Sequence, residues 1–291
     1  MKFKKIAKVL LSCLMAGALF TGCGGGDQQG GSDKKDTAQD SEIKLGMITH
    51  LNANERTMDE IYNKVLEKTK LKLSAYKITY YDNLNSMEMG IESGSVDQIS
   101  LYISVAKYII ANNDKFEFFG NEQVFKDLSD SFCFAVRKED TALKANLDKV
   151  IGEMKADGSL DKLVKEYITD VDNGQAPSAI EIPTTDGADT IKFGVTGDLP
   201  PLDYVSAEGT PAGFNTAILS EIAKRLGKNI EIIDIDSGAR ASALASKNID
   251  VVFWAILPVD TERPPYIDKS DSVEFSIPYF QDAVAHLQLK K

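Results

Sequence analysis

The side chains best suited to hold a small molecule fall in six short stretches. Thr49, His50 and Asn52 follow an apolar run at 43–48, Asn83 and Asn85 follow another at 76–81, and Tyr102 closes a third. In the second half the counterparts are Thr196, Asp198 and Asp203, then Ser237 and Arg240, then Trp254. This is recognition chemistry. Hydroxyls and carboxamides exchange neutral hydrogen bonds, a guanidinium grips a carboxylate or phosphate through paired N–H groups, and an indole offers a flat face for stacking. Arg240 also fits a solvated charge or a partner of Asp236. Trp254 fits equally a core position in the run Val251 to Trp254, because alternation does not separate the faces of a fully buried strand. If both residues hold ligand, replacing either with Ala weakens binding without unfolding the protein. Asn52 with Glu55 has capping-box spacing, and Asn54 is a second candidate cap for the helix that follows.

Catalysis has thin support. The only histidines are His50 and His286, and neither joins a Ser-His-Asp set or a closely spaced metal motif. His50, at a strand end, fits a lone general base, a ligand contact or a solvent-facing ring. His286 reads as part of a frayed C-terminal tail. No enzyme activity, metal or cofactor is expected.

These residues need elements to place them, and internal similarity supplies those. Ile43-Lys44-Leu45-Gly46-Met47 recurs as Ile191-Lys192-Phe193-Gly194-Val195, and the stretch ending in Val96-Asp97 recurs at an offset of 153 as the one ending in Ile249-Asp250. Each half reads as alternating β and α. Strands or helices are expected near 43–48, 54–69, 76–81, 85–92, 97–101, 103–112 and 131–137, and again near 190–195, 214–226, 229–235, 238–246 and 251–256. Strands joined through helices pair in parallel with both faces covered. The expected fold class is therefore α/β, two three-layer α/β lobes joined by a hinge, with a ligand cleft between lobes at the carboxyl ends of the strands.

The N-terminal segment reads as addressing. Lys2, Lys4, Lys5 and Lys8 precede a 12-residue apolar run from Val9 to Phe20, shorter than the roughly 20 residues of a membrane-spanning helix. Residues 1–22 are thus expected as a signal peptide. Leu19-Phe20-Thr21-Gly22-Cys23 resembles a bacterial lipobox, with Phe20 where Leu is usual, which implies lipidation of Cys23. Residues 23–42 are Gly-rich and polar and read as a flexible tether. Cys13 lies in the signal, which leaves Cys133, in the apolar run Phe132-Cys133-Phe134, as a core residue. The formal charge of −11 makes nucleic acid a poor partner. A Pro- and Gly-bearing stretch at 171–189 reads as a linker between a lobe at 43–170 and a lobe at 190–291.

The second half resembles the first lobe of the family 3 extracellular solute-binding proteins, amino-acid-type receptors of ABC importers with the type II periplasmic-binding-protein fold. The resemblance runs through Gly197-Asp198-Leu199-Pro200-Pro201-Leu202, Gly209-Thr210-Pro211-Ala212-Gly213-Phe214, Ala223-Lys224-Arg225-Leu226-Gly227, Ile249-Asp250 and Phe275-Ser276-Ile277-Pro278-Tyr279-Phe280. The first half resembles the family's second lobe and closing helices, in Asp130 to Lys138 and Met154 to Leu163. The resemblance therefore implies a circularly permuted order, which surface termini make physically cheap, with a tandem array whose second member is truncated as the rival. The resemblance implies an extracytoplasmic, lipid-anchored, monomeric receptor that closes on a small polar solute, an amino acid or related metabolite, and delivers it to a membrane permease. Hinge strands are expected near 113–120 and 276–285. A lyase-like enzyme and a membrane-receptor sensor use the same scaffold and stand as alternatives. The amino-acid label meets two departures. The family's ammonium-binding Asp falls on Tyr102, and its carboxylate-clamping Thr-x-x-Arg becomes Asp260-Thr261-Glu262-Arg263 before Pro264-Pro265, where Arg263 fits a surface charge.

Overall fold

A computed structural model describes residues 42–68, 75–120, 128–171, 174, 179–206, 208–259 and 263–291. The signal, Cys23 and nearly all of the tether lie outside the described residues, as does part of the linker.

The first half builds β1 (Ile43–Ile48), α1 (Glu55–Lys68), β2 (Tyr76–Tyr81), α2 (Leu84–Glu92), β3 (Gln98–Tyr102), α3 (Ile103–Asn112) and β4 (Phe116–Phe118). Helix α1 starts where Asn54 accepts the Thr57 N–H at 3.0 Å, and α2 where Asn83 accepts from Ser86 at 2.9 Å. Asn54 is therefore the cap. Glu55 instead accepts the N–H of Tyr80.

The chain then crosses to a second sheet. There it forms β5 (Ser129–Arg137), α4 (Thr141–Ala156) and α5 (Ser159–Val164), which runs on into a π-turn at Lys165–Thr169. The second half adds β6 (Thr190–Val195), the short strands β7 (Asp198–Leu199), β8 (Asp203–Val205) and β9 (Pro211–Ala212), then α6 (Phe214–Leu226) and β10 (Asn229–Asp234). A 3-10 turn at Ser237–Ala239 leads into α7 (Arg240–Ala245), followed by β11 (Val251–Pro258), β12 (Val273–Phe275) and β13 (Phe280–Leu289).

The two sheets share one plan. In the first lobe β1 lies between β2 and β3, all parallel, and the antiparallel β13 separates β3 from β4. In the second lobe β6 lies between β10 and β11, all parallel, and the antiparallel β5 separates β11 from β12. Each sheet thus receives its antiparallel strand from the chain that built the other. Sheet membership changes between Phe118 and Ser129 and again inside β13, whose Phe280 to Ala283 pair with β5 and whose Val284 to Leu287 pair with β3.

The sequence repeat has a structural basis. Asp97 accepts the N–H of Lys44 at 2.8 Å and donates its own N–H to the Lys44 carbonyl, and Asp250 does the same with Lys192 at 3.0 Å. Both aspartates tie the start of the third strand to the first, which satisfies backbone groups at an edge the ladder leaves open.

His286 is not in a frayed tail. It is 1 % exposed in the middle of β13, stacked on Tyr62 and hydrogen-bonded to Tyr76 and Gln98. Alternating apolar residues from Phe280 to Leu289 carry the chain through the core of the first lobe, where Leu45, Ile78, Met87 and Ile99 pack. Cys133 is buried as expected. In the second lobe Phe134, Phe193 and Phe253 form the centre.

Gly213, at φ +99°, seats the loop 199–203 on the start of α6, where Phe214 and Asn215 donate to the carbonyls of Pro201 and Leu202. A Cβ there would lie 2.7 Å from both carbonyl oxygens. Gly213→Ala is expected to cost on the order of 2 kcal/mol, from strain plus backbone displacement. The check is the midpoint of urea unfolding, which should fall with the slope unchanged.

Candidate functional site

A cavity of about 90 Å³ lies between the lobes. Thr49, His50 and Tyr102 reach it from the strand ends of the first lobe, and Thr196, Arg240 and Trp254 from the second. The strand-end rule brings these six together because loops leaving the carboxyl ends of both parallel sheets face each other.

The remaining candidates join the lobes without lining that cavity. The N–H of Asn85 donates to Asp198 at 3.2 Å beside a second groove that includes Glu88 and Pro200. The carboxamide of Asn52 donates to the Lys269 carbonyl at 3.3 Å, and Ser237 donates its hydroxyl to the Asp82 carbonyl at 2.8 Å. Asn83 also bonds Asp236 across the lobes.

Three charged residues complete the cavity that the strand-end rule did not supply: Asp130, Arg263 and Asp268. Arg263 is no surface charge. It is 5 % exposed and forks onto Asp130, with Nη2 2.9 Å from Oδ1 and Nη1 3.2 Å from Oδ2. Tyr102 donates its hydroxyl to the same carboxylate at 2.7 Å. Burial, then the Asp130 charge, holds the Tyr102 phenol neutral by pushing its pKa well above the ordinary value.

Arg240 is equally enclosed. It donates to the carbonyls of Ser237 (3.1 Å), Phe253 (3.3 Å) and Trp254 (3.4 Å), and across the cleft to Thr49 (2.6 Å). Neither the solvated charge nor the Asp236 pair is found. Burial lowers its pKa, against the fields of Asp268 and Asp203.

Asp268 accepts from the N–H of Leu51 at 2.9 Å, from Asn52 and Ile256, and meets His50 Nδ1 at 3.2 Å. Burial alone would raise its pKa, but His50, Arg240 and the Asn52 amide together leave it below the ordinary carboxylate value.

Trp254 is both wall and core. It is 8 % exposed, its indole N–H donates to Asp203 at 2.9 Å, and its ring meets Phe132 edge-on. Its φ of +67° coincides with a register shift in β11 between Val252 and Ala255. A bulge there turns the indole toward the cavity, and such a conformation in a bulky residue stores strain. Asp203 holds the arrangement from behind by accepting from Thr196, Gly197 and Asn215 as well.

Asp198 links the lobes and responds to pH. Burial raises its carboxyl pKa to about 6, opposed by the N–H groups of Asn85 and Leu84. A raised folded pKa contributes stability that is full below the unfolded value near 3.8 and lost as pH rises through about 6. Asp198→Asn is therefore expected to stabilise the protein by about 2 kcal/mol at pH 7.5 and by little at pH 4, read as paired urea midpoints.

With this geometry in place, comparison with known proteins finds similarity in one segment. Residues 191–291 match the model of the bacterial extracellular solute-binding proteins, family 3. This segment is similar to that family over about a third of the chain. The arginine-binding extracellular protein ArtP of Bacillus subtilis (strain 168) is 31% identical over 85 residues, 29% of this chain and 32% of that protein. A probable histidine-binding protein of Campylobacter jejuni is 29% identical over 101 residues, 35% of this chain and 36% of that protein. The chain thus spans about a third of the length of these curated relatives. A periplasmic substrate-binding protein from Coxiella burnetii superposes with a TM-score of 0.40 at 12% identity, over 85% of this chain and 84% of that one.

Proposed function

We propose that this chain is the extracytoplasmic solute-binding component of an ABC-type importer, lipid-anchored through Cys23, acting as a monomeric clamp that closes on a small molecule and presents it to a permease. The observation that carries the reading is the convergence of Thr49, His50 and Tyr102 from one lobe with Thr196, Arg240 and Trp254 from the other on a single cavity. Ligand held there touches both lobes, so its binding energy favours closure. The family match supports solute capture, and the matched relatives' names point first to amino acids.

The shared strand plan supports the permuted reading of the lobes as one clamp. Each sheet is completed by a strand from the other half of the chain, and the closing helices α4 and α5 pack on α6 of the second lobe. The linker then joins what are chain ends in the family's usual order. The proposed sites fall into two groups: Thr49, His50, Tyr102, Thr196, Arg240 and Trp254 around the ligand, and Asn52, Asn85, Asp198 and Ser237 across the lobe seam.

The test is a thermal-shift screen against the standard amino acids and then a wider metabolite panel. A ligand present at 100 times its Kd should stabilise the folded form by about 2.7 kcal/mol. Absence of any shift across both panels would count against capture.

A further inference from the structure

The proposed cavity has an unusual electrical balance. Four side chains of fixed charge line it, Asp130, Arg240, Arg263 and Asp268, two of each sign. Each is at most 5 % exposed, and each is already engaged by groups of this chain. Arg263 holds Asp130 through both nitrogens, Arg240 is spread over four backbone carbonyls, and Asp268 collects backbone N–H groups and His50. Beside the neutral hydroxyls of Thr49, Ser100 and Thr196 and the His50 ring, most of the wall is apolar or aromatic, with Met47, Met58, Tyr62, Leu202, Trp254 and Ile256 prominent.

A ligand bearing net charge would enter this space with no unengaged counter-charge to meet it, and burying a charge unpaired is strongly unfavourable. A zwitterion would have to prise Arg263 from Asp130, and separating a buried ion pair exposes each partner to the same penalty. An uncharged ring disturbs none of these bonds and gains contact with the aromatic and thioether walls.

We infer that this cavity is specific for an electrically neutral, ring-bearing small molecule, because Asp130 occupies on Arg263 the place that a ligand carboxylate would take. This rests on the cavity being the capture site. It keeps the capture reading but moves the ligand from free amino acids to small molecules without free carboxylate or ammonium, and it gives Asp130 the role of a built-in counter-ion.

Three probes of one ring size separate the classes: phenol (neutral), benzoate (anionic) and L-phenylalanine (zwitterionic), titrated into the full chain by calorimetry and ligand-observed NMR. Phenol is expected to bind at least about tenfold tighter than either ion, a gap of about 1.4 kcal/mol. Asp130→Asn frees Arg263 and should confer benzoate binding, and adding Arg263→Met in the same chain should abolish it. Tighter binding of benzoate or L-phenylalanine to the wild-type protein overturns the neutral class and leaves the capture reading standing. If none of the three binds either the wild-type protein or Asp130→Asn, both readings fall. The wild-type comparison decides the matter even if Asp130→Asn does not fold.

Discussion

Replacing Arg240 with Ala is expected to destabilise the protein by about 3–5 kcal/mol, the range for removing one partner from a buried charged network. The sequence alone suggested a variant that binds weakly but folds. The structure points elsewhere, because the guanidinium bonds four carbonyls, one of them Thr49 in the opposite lobe. Its loss strands those acceptors in the interior and leaves the Asp268 and Asp203 charges without their nearby cation. For a domain of this size that corresponds to a fall in Tm of roughly 10 °C. Arg240→Lys keeps the charge but lacks the fork, and should fall between the two. A Tm within about 2 °C of wild type for Arg240→Ala would mean that the guanidinium is solvated, contrary to its buried position.

His286→Gln should flatten the acid limb of the stability profile. Burial holds the imidazole of the folded protein near a pKa of about 3, against 6.5 in the unfolded chain. Above pH 6.5 neither state carries the proton and the stability is fully present. As pH falls below 6.5 the unfolded chain protonates first, and stability drains away at about 1.4 kcal/mol per unit until the folded pKa is reached. Between pH 6.5 and 5 the wild-type protein should lose about 2 kcal/mol through this residue. Urea midpoints of wild type and variant at pH 7.5 and pH 5 isolate the effect, since the carboxylates are common to both. Parallel profiles would show that His286 protonates in place. Asp198 acts with the opposite sign, so Asp198→Asn in the same background should steepen the acid limb.

Local pattern decided what could be read in advance. Strands β1, β2 and β6 and helices α3 and α6 fall on the expected residues because each is a short apolar period bounded by turn residues. The repeated Asp97 and Asp250 mark equivalent strand starts because one carboxylate does the same backbone work in both halves. Six cavity residues follow from the strand-end rule.

What escaped depends on distance along the chain. Asp130 and Arg263 are 133 residues apart, and Asp268 lies 217 residues from the Leu51 N–H it accepts. A pair of that kind leaves no spacing to detect. The second half of β13, beyond the strand expected to end at 285, was read as a tail because a polar end invites it, and its burial depends on a slot between β3 and β4 that only the assembled first lobe creates. The reading of Arg263 as a surface charge failed for the same reason, since its counter-ion arrives on a strand crossing from the other half.

The shared strand plan also fixes where the chain can be pulled. Gly46 of β1 and Leu287 of β13 both face Ile99 of β3, from opposite sides. Because β13 runs antiparallel to β1, Ile43 and Leu289 leave the sheet along one edge, about two strand spacings or roughly 10 Å apart, at the end of the lobe away from the cavity. A load applied through residues before 43, such as the proposed anchor, therefore bears on the first lobe only. The lobe carrying Arg240, Trp254 and Arg263 is joined to it covalently by the two crossings, so in the proposed closure the attachment stays with the first lobe.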